Sequence, residues 1–473
     1  MAIIPYLHES TTVSDENGAS TAVCKKAPAL KRTNLCPPLL LYKMMYRPLD
    51  FLEQAAREHE LVRLGWLGVP FYLVTGPELV KQMLSDTKRY QKGSLFKKLE
   101  IVLGKGLVTL DGKAWIEGRR RVNQAFARAL VSDQQEIVIR HTLELIERLK
   151  AQPAAPVNLD LLTSELMVRV AMELLFGASS DDVDVHEFHD AVDVCNDYAR
   201  YRIWSLVPER WNTARRRRFV RALSMLDSVV ERVIERRRRD TQAERSRRSD
   251  VLSLLLEAGF EGLELRDHVM TMLMAGHETT AGSVTFLLGL LSRDENVQDE
   301  LYSEVRELPP GEAPLESLPF STAVWREALR LYPSVPMLDR QAISDVRLGE
   351  YQIEAGANLI WSPYVMHRKY FSQPDEFRPS RFLPGETIEA GTYLPFGEGP
   401  RMCIGKTLAD MEGITITALL AREFTIEPTE SGPLSLRPMI TLRPENGFVV
   451  RFRSRSRARP AQQPVGEPEP ALI

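Results

Sequence analysis

The stretch Pro395–Gly405, PFGEGPRMCIG, sets one cysteine among three glycines, a phenylalanine and an arginine. A cysteine that merely fills a core needs no such company. A metal ligand that must meet a flat, anionic cofactor at close range has a use for all of it. Gly397 and Gly399 permit a tight turn with unusual backbone angles. Gly405 removes a side chain where the following helix would pass beneath a ring. Cys403 would sit just ahead of that helix, whose N-terminal N–H groups and dipole favour a thiolate. Arg401 can reach a carboxylate. The remaining cysteines, Cys24, Cys36 and Cys195, match no zinc or iron–sulfur spacing and read as incidental thiols. A lone thiolate can be the axial ligand of a haem iron, onto which it pushes electron density.

A second group lies in the apolar run Val269–Leu291, where AGHETT (Ala275–Thr280) places an acid beside an alcohol. The Thr279 hydroxyl can bond the carbonyl of Ala275 and bend or open the helix. Glu278 and Thr279 would then form a pair able to relay protons. In EALR, Glu327 and Arg330 are three apart, on one helix face and within ion-pair reach.

These motifs, in this order, resemble the cytochrome P450 family. Phe396-x-x-Gly399-x-Arg401-x-Cys403-x-Gly405 is similar to its haem-binding signature at every defining position, and AGHETT to its oxygen-activation motif. PDEFRPSRF (Pro374–Phe382) resembles the family's PERF region, with Ser380 where a glutamate is usual. DGKAWIEGRRR (Asp111–Arg121) resembles its WxxxR helix. The resemblance runs from about residue 37 to 450.

It implies a haem-thiolate monooxygenase carrying heme b, with Cys403 as the iron ligand and Phe396 packed near the sulfur. Trp115, Arg119, Arg340 and Arg401 would hold the haem propionates, with Ala275 and Gly405 against the ring. Glu278 and Thr279 would organise proton delivery, and Glu327, Arg330 and Arg381 would brace the haem-side loop. Phe96, Met270, Met274, Val335, Met337 and Leu338 would line an apolar pocket. That pocket suits a fatty acid, a terpenoid or another intermediate of secondary metabolism. Electrons would come from a separate ferredoxin or flavodoxin and its reductase, with Arg119–Arg121 and Lys406 forming a positive docking face. A peroxide-driven peroxygenase and a non-catalytic haem sensor are the alternatives; the intact Glu278–Thr279 pair speaks against both.

The elements that must position these residues follow from patterning. LVRLGWLG and PFYLVTGPELV (Leu61–Val80) predict two strands and a helix after Gly76. From about Gly112 to Leu308 apolar residues recur at three and four, as in Gln134–Gln152 and Leu223–Asp240. Short strands follow Pro336, and a last helix covers Lys406–Phe424. The fold class is therefore mainly α (α+β), with a large helical part and a smaller sheet-bearing part. We expect a mobile segment over 1–36, one domain over 37–452 and a disordered tail over 453–473.

The chain has 473 residues, 44% hydrophobic and 26% charged, with a net charge of −3, which gives no global pull toward nucleic acid. Arginine runs at Arg215–Arg218 and Arg236–Arg239 are interleaved with acids and read as a solvated helix face and a charged loop. No signal peptide or transmembrane anchor is expected, because the one long apolar run carries Glu278 at its centre. A cytoplasmic monomer is the expectation.

Overall fold

Asn158 and Gly177 bracket the first of the central helices. Asn158 accepts hydrogen bonds from the Asp160 and Leu161 N–H groups, and Gly177 closes the other end at φ 53°. Such local signals recur along the chain in the computed structural model, which describes residues 25–28, 42–43, 46–64, 70–129, 134–179, 183–204, 213–241, 250–432 and 434–455. Cys24, Cys36 and residues 456–473 lie outside them.

The elements, in chain order, begin with α1 (Pro48–Ala56), β1 (Leu61–Arg63), β2 (Phe71–Val74), α2 (Pro77–Ser85) and β3 (Tyr90–Lys92). Next come α3 (Gly112–Ala129), α4 (Gln134–Ala151), β4 (Pro156–Asn158), α5 (Leu159–Phe176), α6 (Val185–Trp204) and α7 (Thr213–Arg239). They are followed by α8 (Val251–Glu257), α9 (Gly262–Leu291), α10 (Glu295–Val305) and α11 (Pro319–Leu331). Strands β5 (Leu338–Ala342), β6 (Val346–Leu348), β7 (Tyr351–Ile353) and β8 (Asn358–Trp361) precede α12 (Pro363–Tyr370) and α13 (Lys406–Glu423). The last strands are β9 (Phe424–Pro428), β10 (Leu436–Pro438), β11 (Leu442–Pro444) and β12 (Val449–Ser454).

A five-stranded sheet runs in the order β1-β2-β8-β5-β3, with only β2 and β8 parallel. Strands β4, β12 and β9 form a second sheet, and β6–β7 and β10–β11 are hairpins. The chain is thus helix-rich with small sheets, as the patterning predicts. Lys25 bridges to Tyr351, so residues 25–28 run beside β7 although the sequence places them in a mobile segment.

The main core is built by the long helices. Helix α9 is buried on almost every face, which marks a helix that crosses a core rather than covering one. Thirty residues span about 45 Å at 1.5 Å per residue. Helix α13 comes close to α11 because Gly413 has no side chain: a Cβ there would meet the Trp325 ring at 2.4 Å. Trp325 in turn donates its indole N–H to Asp410 at 2.8 Å. Among the described residues, no helix is long and apolar enough to cross a membrane.

Candidate functional site: the Cys403 loop and the exposed face of helix α9

Two patches of open surface face an otherwise filled interior. On α9, Ala275 is exposed and Gly276 and Thr279 are half-buried, although the residues before and after them are buried. On the loop before α13, Cys403 lies deep in the protein yet is itself exposed. Burial pushes its thiol up; the Gly405 N–H, Arg119 and Lys406 work in the opposite direction. A metal bound to the sulfur would reverse that balance, since a coordinating thiol is deprotonated.

The loop is fixed by its own backbone. The Cys403 N–H donates to the Phe396 carbonyl at 3.0 Å and the Gly397 N–H to the Leu394 carbonyl at 3.1 Å. Gly399, at φ 73°, runs so close to α2 that a Cβ would meet the Leu84 carbonyl oxygen at 2.9 Å. At Gly405 a Cβ would meet only the Cys403 sulfur, at 3.9 Å. The half-buried Phe396 packs on the main core.

Beside the loop three cations crowd together. Arg340, 4% exposed, donates to the carbonyl of Asp339, and burial and Arg401 lower it to about 10. Arg401 lies over the Trp115 ring at 4.2 Å, pairs with Asp111 and leaves its buried Nε without a partner. Lys92 is buried, and burial, Arg340 and Arg401 all push its ammonium down. Asp111 and Asp339 are the acids facing them. Three buried cations against two acids leave an excess of positive charge, which an anionic group at this edge would neutralise. Among the described residues no cluster of three or more His, Cys, Asp or Glu side chains could hold a bare metal ion. The donor set therefore fits a metal carried by an anionic prosthetic group: an exposed thiol for the metal and buried cations for the negative charge.

Arg119 stands apart from that cluster. Its Nη2 donates to the Met402 carbonyl at 2.8 Å, which places it beside Cys403. Glu327 takes Arg330 at 2.6 and 2.9 Å and Arg381 at 3.2 Å, all buried. Arg330 also holds the carbonyls of Pro374 and Glu376. His367 accepts the Leu394 N–H at 3.0 Å through Nε2 and donates through Nδ1 to the Arg330 carbonyl at 2.9 Å, so it ties this trio to the cysteine loop.

The Thr279 hydroxyl donates to the Ala275 carbonyl at 2.6 Å, the bond the sequence suggests, but α9 stays helical throughout. Glu278 does not meet Thr279. Its carboxyl lies among Asn196, Thr441 and Arg443. A second buried acid lies nearby: Thr280 donates at 3.1 Å to Glu412 on α13, and burial raises that carboxyl to about 8.

Phe96, Val335, Met337 and Leu338 are half-buried, Met274 is buried but for 6%, and Met270 is wholly within the main core. A hollow of about 960 Å³ lies elsewhere, between α4 and the segment Gly311–Pro314, and includes none of these residues. Sequence reasoning missed Lys92, Asp111, His367, Glu412 and Arg443. They stand in unremarkable contexts and gain meaning only from what the fold brings to them.

Comparison with known proteins agrees with this geometry. A family model described as cytochrome P450 matches residues 34–452. Cyclooctatin synthase of Streptomyces melanosporofaciens is 31% identical, over 84% of this chain and 90% of its own length. Cyclooctat-9-en-7-ol 5-monooxygenase of the same organism is 30% identical, over 83% and 88%. Cytochrome P450 4V2 of Mus musculus is 28% identical, over 87% and 85%.

Proposed function

Because this chain belongs to the cytochrome P450 family and is a haem-iron monooxygenase of that family, we propose that it oxygenates a cyclic terpenoid. We propose further that it binds heme b and takes electrons from a separate ferredoxin or flavodoxin and its reductase. The observation that carries the reading is the exposure of Cys403 on its glycine-bound loop together with that of Ala275 on the otherwise buried helix α9. The two Streptomyces relatives, one named for monooxygenation of cyclooctat-9-en-7-ol, favour the terpenoid class. So do the half-open apolar side chains of Phe96, Val335, Met337 and Leu338.

The haem, when bound, supplies the iron at which dioxygen is reduced, one atom going to substrate and the other to water. The chain's own residues do the rest. Cys403 is the metal ligand, and the Gly405 N–H and Arg119 favour its thiolate form. Lys92, Arg340 and Arg401 would hold the anionic groups of the haem, and the Trp115 ring against Arg401 fixes that guanidinium. Glu327, Arg330 and Arg381 brace the segment that carries the loop, and His367 passes that order on to Leu394.

The Thr279 hydroxyl already donates to the Ala275 carbonyl, so its oxygen is left to act as an acceptor. Glu278 and Glu412 are both held up by burial, so each keeps a proton at a pH where an exposed acid has lost it.

On the Cys403 side, Ile116 and Met402 are exposed apolar residues near the exposed Arg120 and Lys113. That face suits an acidic electron carrier. Lys406 is paired with Asp410 and Arg121 with Glu264, so Arg120 is the member of the expected basic group left to steer.

The test is turnover under labelled dioxygen, with a ferredoxin, its reductase and a panel of cyclic terpenoid alcohols. The expected result is one labelled oxygen per product and loss of turnover in Cys403→Ser. Product formed equally well with peroxide alone, or from fatty acids but no terpenoid, would overturn it. Arg120→Glu should slow reduction by an acidic ferredoxin several-fold at low salt and far less at high salt.

A further inference from the structure

Two elements, helix α6 and strand β11 with the residue that precedes it, converge on Glu278. Its Oε1 accepts from Asn196 Nδ2 of α6 at 2.5 Å and from the Thr441 hydroxyl, and lies 3.5 Å from Arg443 Nε of β11. Arg443, 1% exposed, divides its charge between two acids: Nη1 donates at 2.8 Å to Asp160, in the first turn of α5. Among the described residues its Nε and Nη2 have no hydrogen-bond partner. A buried guanidinium with unspent donors, placed between two carboxylates, is held by charge more than by fixed bonds.

The other groups facing this junction are few. Asp193 of α6 takes Arg437 at 2.8 Å through Oδ2, and its buried Oδ1 has no partner. His277 of α9 meets Ser164 at 2.9 Å, and His189 of α6 meets the same hydroxyl at 3.0 Å and lies 3.8 Å from Asp160. The Cys195 thiol, pushed up to about 12 by burial, stays neutral. Burial drives the Glu278 carboxyl toward its protonated form; Arg443 is the largest influence against that, and Asp193 adds to the upward push.

We propose that Arg443 is the positioning residue for Glu278: shared with Asp160, it holds the carboxyl on the outer side of α9 and sets its state of protonation. The proposal rests on the reading of Glu278 as a proton-handling group. It carries a consequence of opposite signs. Without Arg443 the carboxyl keeps its proton to higher pH. Without the Asp160 charge, Arg443 is left to Glu278 alone and the carboxyl gives up its proton at lower pH.

The test is an infrared pH titration of the holoenzyme, following the protonated-carboxyl band that disappears in Glu278→Gln. The midpoint should rise by roughly one pH unit or more in Arg443→Met, return toward the starting value in Arg443→Lys, and fall in Asp160→Asn. If Arg443→Met does not fold, the direction of the shift in Asp160→Asn still decides the sign. Midpoints that stay put, or that move the same way in Arg443→Met and Asp160→Asn, overturn the role of Arg443. Hydrogen peroxide release per reducing equivalent, measured with redox partners, addresses the underlying reading separately. It should rise in Glu278→Gln, and no change there would overturn the reading on which the proposal rests.

Discussion

At Lys92 the chain buries an ammonium beside the guanidiniums of Arg340 and Arg401. Such crowding costs stability unless an anion joins it. Lys92→Met should therefore act in opposite directions on the two forms of the protein. The cofactor-free chain should gain in denaturant midpoint, because a desolvated charge is gone. The loaded protein should release haem to a scavenger such as apomyoglobin about tenfold faster, the equivalent of about 1.4 kcal/mol. Equal release rates would remove Lys92 from the account. Cys403 and Lys92 also show what a sequence displays and what it conceals. The cysteine is legible because its loop is contiguous, and every neighbour constrains the same turn. Lys92 lies in YQK, where nothing in the sequence marks it as buried. Only the pairing of β3 with β5, with Lys92 opposite Arg340, puts it inside.

Among the elements, α9 and α13 do the positioning, and their close packing depends on small residues. Gly413→Ala would thrust a methyl group into the Trp325 ring. The indole would have to leave its bond to Asp410, at a cost of about 1–3 kcal/mol. Denaturant unfolding should show that loss, while Gly356→Ala, where nothing lies within 4 Å, would report only the backbone cost of φ 80°. Helix α9 was legible as a long buried helix from its apolar run, and the bond from Thr279 to Ala275 from its threonine. Where Glu278 points was not legible. Adjacent residues on a helix project about 100° apart, so a sequence neighbour of Thr279 faces α6 and β11. The acid and alcohol are neighbours in sequence and strangers in space. Arg443 was hidden for a related reason: its segment, TLRPEN, lies more than 160 positions from the acid it meets.

For the whole molecule, buried titratable groups shape stability against pH in two opposed ways. His367 is held down to about 3 and His268 to about 4, both mainly by burial. Between those values and 6.5 the unfolded chain binds protons that the native state refuses, so stability falls as pH falls. Glu412 is held up to about 8. Between about 4.5 and 8 the native state keeps a proton that the unfolded chain has lost, so stability falls as pH rises. Above 6.5 the histidines no longer contribute. Glu412→Gln should then remove a loss of up to about 1.4 kcal/mol per pH unit between pH 6.5 and 8, seen in denaturant midpoints. Parallel curves for the variant and the parent protein would contradict it.

The most direct test of the central claim is the carbonyl-bound ferrous absorption spectrum of the purified protein, taken beside Cys403→His and Cys195→Ser. The account predicts a haem-thiolate spectrum in the parent protein and in Cys195→Ser. It predicts loss of that spectrum in Cys403→His, through loss of haem or through an imidazole-type spectrum. Folded parent protein that takes up no haem, or a Cys403→His variant with the parent's spectrum, would contradict the assignment of Cys403.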